Sequence, residues 1–143
     1  MARIAHVVTS GSAGYAQVNK ARRHEIRADE SQHEGGTDTG ANPTELLLAA
    51  LGSCTSITLR MYAQRKGWEL GEVRVELEFF KEEQAWRITR EITFSAPLSD
   101  EQRAKIAEIA EKTPVTKVVK QGSPIETRIY SGSARNSSVV SDK

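Results

Sequence analysis

Gly40-Ala-Asn-Pro-Thr-Glu-Leu-Leu-Leu-Ala-Ala-Leu-Gly-Ser-Cys-Thr-Ser-Ile-Thr-Leu-Arg-Met-Tyr-Ala-Gln-Arg-Lys-Gly67 spells out a long helix with both of its ends. Asn42 carries a side-chain oxygen for the unbonded N–H groups of a first turn. Pro43 suits the first helical position because it has no N–H to lose. Glu45, three residues after Asn42, completes an Asx version of the capping box. At the other end Lys66 sets a cation beside the free carbonyls, and Gly67 is free to turn left-handed. Between these signals Leu47, Ala50, Leu51, Cys54, Thr58 and Met61 fall on one face at spacings of three and four. Leu46, Leu48, Ile57 and Tyr62 widen that face. The pattern predicts a helix buried on most sides at the centre of the fold, with the chain's only cysteine, Cys54, in its middle.

Working outward, Ile4 to Thr9 and Ala16 to Lys20 read as short strands around the turn Gly11-Ser-Ala-Gly14. Arg23 to Asp29 follows as a third, more polar strand of an antiparallel meander. Residues 30–41 form a polar, glycine-rich loop into the helix, and loops of that length are often functional. After the helix, Val73, Val75, Leu77 and Phe79 alternate with polar residues. Lys81 to Gln84 makes a turn, and Trp86, Ile88, Ile92 and Phe94 continue the period of two, with Arg90 where an apolar residue is due. Ser99 and Gln102 form a second capping box, opening a helix to about Lys112. Thr113-Pro114 interrupts, because the residue before a proline is pushed out of the α region. Val115, Val118 and Val119 suggest a short helix ended by Gly122, and residues 124–130 a last strand. The order β-β-β-α-β-β-α-α-β is an α+β domain with an antiparallel sheet, spanning residues 1–130. Residues 131–143, serine-rich and without period, are expected to form a flexible tail.

Composition narrows the function classes. At 143 residues the chain is one domain by size, long enough to bury a core. Lys+Arg 20 against Asp+Glu 19 leaves a net charge of +1, which argues against a nucleic-acid surface. The longest uninterrupted apolar run, Leu46 to Leu51, is far short of the roughly 20 residues of a membrane span. Met1 to Val8 contains no signal-peptide core. A single cysteine makes no internal disulfide and demands no oxidising compartment, so a cytoplasmic protein is expected.

Cys54 is the one residue with clear nucleophilic potential: a thiolate attacks the O–O bond of a peroxide to give a sulfenic acid, which another thiol then reduces. Cysteine also packs as a small hydrophobe, and a lone one on an apolar stripe is usually core. Its mid-helix position brings no helix N-terminus to favour the thiolate. His6, His24 and His33 stand at no metal-ligand spacing, and Gly35, Gly36 and Gly40 match no phosphate-binding pattern, so no metal or cofactor is expected. Arg22, Arg23 and Arg27 form a small basic cluster. Most such clusters are solvated, though a guanidinium beside a thiol is a standard way to hold a thiolate.

The run from Gly35 to Cys54, continuing to Trp68, resembles the OsmC/Ohr family of osmotically inducible and organic hydroperoxide resistance proteins. The similarity extends through the Leu70–Leu77 strand, the Leu98-Ser-Asp-Glu-Gln102 helix start and Thr113-Pro-Val-Thr-Lys117, and so covers almost everything but the tail. It implies an intertwined homodimer in which antiparallel sheets wrap a pair of central helices, with the sites at the subunit interface. That agrees with a helix too apolar for one short sheet to cover. In the peroxidase members two cysteines act. The reactive one matches Cys54, whereas the position of the resolving one is occupied by Thr113, whose hydroxyl forms no disulfide. The glutamate that, in the hydroperoxide resistance branch, helps an N-terminal arginine hold the thiolate is replaced by Thr44. The next residue, Glu45, is explained by its spacing as a helix cap. The counterpart of the arginine is Arg22 or Arg23.

Two functions follow from different classes. One is a one-cysteine peroxidase of the stress-response family, in which Cys54 attacks an organic hydroperoxide and an external thiol reduces the sulfenic acid. The alternative is a non-catalytic dimer that binds a small apolar molecule at its subunit interface, or serves only as a scaffold with Cys54 as packing.

Overall fold

The computed structural model of the chain describes residues 1–132 and the backbone of residues 138–142. Its elements are β1 (Val8–Ser10), β2 (Gln17–Ala21), β3 (His24–Ala28), α1 (Pro43–Lys66), β4 (Val73–Glu82), β5 (Ala85–Phe94), α2 (Asp100–Ala110), α3 (Pro114–Gln121), β6 (Ile125–Ile129) and β7 (Ser138–Asp142). The chain is α+β, as expected from the order of its elements. The chain divides into two compact units, Met1–Ser53 with Val73–Thr93 and Cys54–Glu72 with Phe94–Lys143.

In the first unit β1, β2 and β3 form the antiparallel meander, with Val8 opposite Lys20 and Gln17 opposite Ala28. Arg22 and Arg23 are the two-residue connection between β2 and β3, and Arg22 takes a left-handed φ of 56° to close it. β4 and β5 pair as a hairpin whose two-residue connection permits only the antiparallel arrangement. Phe79 stacks on Trp86 there, ring centroids 5.3 Å apart. Gly52 lies in the half of α1 belonging to this unit, and a Cβ on it would stand 2.8 Å from Leu77 Cδ1 of β4, so the absence of a side chain allows this close approach.

The loop after β3 is built on Asp29, 2% exposed. Its carboxylate accepts from Thr37 Oγ1 at 2.7 Å, from Thr39 Oγ1 at 2.8 Å, and from the backbone N–H groups of Thr39 at 3.1 Å and Glu30 at 2.7 Å. Ala28 bridges Ala41 in parallel, and the Asp29 N–H donates to the Ala41 carbonyl at 3.1 Å. The segment read from sequence as a polar loop is thus a closed turn around one buried acid. A Cβ on Gly36 would overlap the Glu30 carbonyl oxygen, so only glycine fits where the turn folds back.

In the second unit the apolar core is Leu59, Ala63, Leu70, Ile106 and Ala110. Gly71 (φ 68°) turns the chain after Leu70, and its carbonyl accepts from the Arg60 guanidinium at 2.6 Å. Ser95 clamps the same bend, its N–H donating to the Glu72 carbonyl at 3.0 Å and its hydroxyl accepting from Glu72 N–H at 2.7 Å. α2 starts on the predicted box, with Ser99 and Gln102 each accepting from the other's backbone N–H. Lys112, hydrogen-bonded at 3.3 Å, and Lys105 hold the Glu108 carboxyl below its usual range.

Both ends of α1 follow the sequence. Asn42 Oδ1 accepts from Glu45 N–H at 2.8 Å while Glu45 Oε1 accepts from Asn42 N–H at 2.9 Å. At the far end Gly67 (φ 71°) donates to Gln64 and Trp68 donates to Ala63 at 2.9 Å, the paired bonds of a Schellman motif. The burial of α1 differs from expectation. Its buried residues are Leu51, Thr55, Leu59 and Ala63, at a constant spacing of four, while Leu47, Ile57 and Met61 are 42%, 59% and 50% exposed. The helix is apolar on more sides than one chain covers.

A second difference concerns membranes. By length and composition alone α1 is apolar enough to cross one, a test that the core helix of a globular protein also passes. The expectation above counted only the uninterrupted run and missed the apolarity that Ala, Ile, Cys and Met add around Ser and Thr. A third concerns the tail. Residues 133–137 and 143 lie outside the described residues, but Ser138–Asp142 forms β7, paired antiparallel to β6 from Ile129 opposite Ser138 to Ile125 opposite Asp142. Such pairing is set by a partner strand, so a segment without its own hydrophobic period gives little sign of it.

Candidate active site

Cys54 sits on α1, half-buried, next to the buried Thr55. Its sulfur lies 3.9 Å from Thr58 Oγ1, one helical turn on. The contact that matters most comes from elsewhere in the sequence: the backbone N–H of Val115 donates to Cys54 Sγ at 3.5 Å. Val115 is the second residue of α3, where N–H groups have no intrahelical carbonyl to use. The sulfur therefore meets the N-terminal end of a helix, though not of its own. The sequence reading that its own mid-helix position brings no such terminus holds, and the terminus is supplied instead by a segment 61 residues away.

Local chemistry explains why that end of α3 is open. Thr113 is the N-cap residue and Pro114 occupies the first helical position. A threonine at an N-cap ordinarily accepts from the second or third N–H of the helix. Thr113 makes no such bond. Its hydroxyl instead lies 2.6 Å from Thr116 Oγ1, which donates to the Ala110 carbonyl at 3.5 Å. A hydroxyl has one proton, so with Thr116 donating to the carbonyl, Thr113 supplies the proton between the two oxygens. Both threonines are buried, Thr113 completely. In effect the Cys54 sulfur takes up the N–H that the cap residue leaves.

The chemical consequence is electrostatic. The N-terminal end of a helix presents N–H groups and partial positive charge, which favour a negative group placed against it. A thiolate, the nucleophilic form of cysteine, is such a group.

The other sequence-predicted site residues fall as follows. Thr113 heads the segment that reaches Cys54. Thr44 and Glu45 occupy the exposed first turn of α1, where the Glu45 carboxylate is committed to the Asn42 N–H. Arg22 and Arg23 are exposed at the tip of the β2–β3 hairpin, in the first of the two units, whereas Cys54 and Thr113 belong to the second. Among the described residues no group of His, Cys, Asp or Glu could hold a metal ion. Sequence reasoning missed the Val115 N–H, because a backbone donor leaves no mark in residue type. It also missed Thr116 and the buried Asp29, whose carboxyl is held far below the usual carboxylate range by hydrogen bonds from Thr37 and then Thr39, with burial opposing.

No curated protein sequence matches the chain. Solved structures share its fold. An OsmC-like protein from Mycoplasma pneumoniae superposes with a TM-score of 0.73 at 17% identity, covering 85% of this chain and 90% of that one. The organic hydroperoxide resistance protein OsmC from Legionella pneumophila gives 0.62 at 15% identity, over 83% and 92% of the two chains. The organic hydroperoxide resistance protein OhrB of Bacillus subtilis gives 0.58 at 20% identity, over 84% and 93%. Residues 36–128 match the model of one family, which takes in α1, Cys54 and the whole of α3, and the chain therefore belongs to the OsmC-like protein family.

Proposed function

We propose that the chain is a thiol-dependent hydroperoxide reductase that works with a single cysteine, as a homodimer. The observation that carries this reading is the Val115 N–H on Cys54 Sγ. It supports a thiol that does more than pack, because a packing cysteine needs no donor and the start of α3 has a threonine able to cap it. The solved relatives named as hydroperoxide resistance proteins support the substrate class.

The reaction balances with one cysteine. The Cys54 thiolate attacks an oxygen of an organic hydroperoxide. An S–O bond forms and the O–O bond breaks, and the alkoxide leaves as an alcohol after taking a proton. Cysteine is oxidised to sulfenic acid as the peroxide is reduced. Thr113 stands in the resolving position and has no thiol, so an external thiol condenses with the sulfenic acid, releasing water and leaving a mixed disulfide. A second external thiol then displaces Cys54. The exposed apolar face of α1, with Leu47, Ile57 and Met61, supports the homodimer as the form in which that face is covered.

Peroxide consumption with a small dithiol as reductant tests the reading. Turnover of an organic hydroperoxide by the native protein, absent in Cys54→Ser, is expected. No turnover with any thiol, together with a bound apolar molecule in the purified dimer, would favour the non-catalytic binding protein.

A further inference from the structure

We infer that Thr116 is a positioning residue for Cys54, acting by drawing the Thr113 hydroxyl away from the start of α3 so that the Val115 N–H stays available to the sulfur. The inference rests on the reading of Cys54 as a reactive thiol. It concerns residues that never touch a substrate.

Three observations converge on it. Thr113 has the position and backbone of an N-cap (φ −67°, ψ 150°) yet makes no side-chain cap bond. Its hydroxyl lies 2.6 Å from that of Thr116, which passes the chain of donation on to the Ala110 carbonyl. The N–H at the second helical position, one of the two that an N-cap side chain ordinarily takes, points to Cys54 at 3.5 Å instead. With the Thr116 hydroxyl removed, the Thr113 hydroxyl loses its buried partner. Nothing then holds the Thr113 hydroxyl in that rotamer, and its oxygen can take the ordinary N-cap role of accepting from the Val115 N–H. The Thr113 side chain then competes with the sulfur for the same end of the helix.

The experiment measures alkylation of Cys54 by iodoacetamide as a function of pH, an assay that needs no peroxide and stays informative if the peroxidase reading fails. Thr116→Val, close in shape but without the hydroxyl, is expected to slow alkylation near neutral pH by about three- to tenfold and to move the rate profile toward higher pH. Thr116→Ser, which restores the hydroxyl, is expected to return the profile to that of the native protein. The thermal midpoint of each variant separates loss of fold from loss of positioning. A profile for Thr116→Val that overlays the native one, in a folded protein, overturns the inference. So does a Thr116→Ser profile that matches Thr116→Val. An alkylation profile that responds as expected, in a protein that reduces no hydroperoxide, would retain the positioning role while removing the proposed reaction.

Discussion

Cys54 and Val115, 61 residues apart in the chain, meet at 3.5 Å, a sulfur accepting from a backbone N–H at the start of a helix. The relationship joins the middle of α1 to the start of α3. It is the contact on which the proposed one-cysteine reaction rests. Thr113, which the sequence resemblance matches to the second cysteine of the peroxidases, is the N-cap residue of α3, and the group that reaches Cys54 there is a backbone donor rather than a thiol. A backbone donor does not regenerate an oxidised sulfur. In the proposed reaction, reduction comes from outside the chain.

An external reductant predicts a mixed disulfide. After one equivalent of hydroperoxide and then a limiting monothiol, mass spectrometry is expected to find the thiol attached once per chain at Cys54. A disulfide between two chains of the protein would contradict this.

The α1 face carrying Leu47, Ile57 and Met61 should be covered in solution. Sedimentation of the native protein is expected to give a dimer, and Ile57→Glu to shift it toward the monomer by placing a charge in an apolar contact. A native monomer at tens of micromolar would remove the homodimer from the proposal.

Asp29 predicts a pH dependence. Its carboxyl is held below the usual range in the folded chain, first by Thr37 and then by Thr39. The folded chain therefore binds its proton less readily than the unfolded one. Stability from Asp29 is fully present above the ordinary carboxylate value of about 4 and is lost as pH falls through the folded value. Asp29→Asn is expected to melt several degrees lower at pH 7, with the gap to native narrowing below about pH 4. A constant gap from pH 7 to pH 3 would show that the ionised form is not what the loop uses.

Gly36→Ala should destabilise the same loop, since the added carbon would overlap a backbone oxygen of Glu30, which cannot rotate away as a side chain would. A cost of about 1–3 kcal/mol is expected in chemical denaturation. An unchanged midpoint would mean that the turn relaxes freely.

How much of this was legible depends on how local the cause is. The α1 ends are local: Asn42, Pro43 and Glu45 at one end and Gly67 at the other fix them through contacts three to five residues long, and the structure has the bonds expected. The box at Ser99 and Gln102 is local in the same sense. Burial along α1 is not local. Apolar spacing marked Leu47 and Met61 as core, but the buried stripe runs through Thr55, a residue that polarity alone places outside. β7 is hidden for a related reason, because its register is written in β6. In the site, the residue type of Cys54 and its family motif were readable, whereas the Val115 N–H exists in every chain and gains meaning only when α3 is brought to the sulfur. Asp29 sat at the end of a strand that read only as more polar than its neighbours. Its role came from Thr37 and Thr39, eight and ten residues on.

The most direct measurement is the intact mass of the reduced protein after brief exposure to an organic hydroperoxide with dimedone present, beside Cys54→Ser. One dimedone adduct per chain at low peroxide, absent from the variant, is the predicted result. An unmodified mass at high peroxide would contradict a reactive thiol at Cys54.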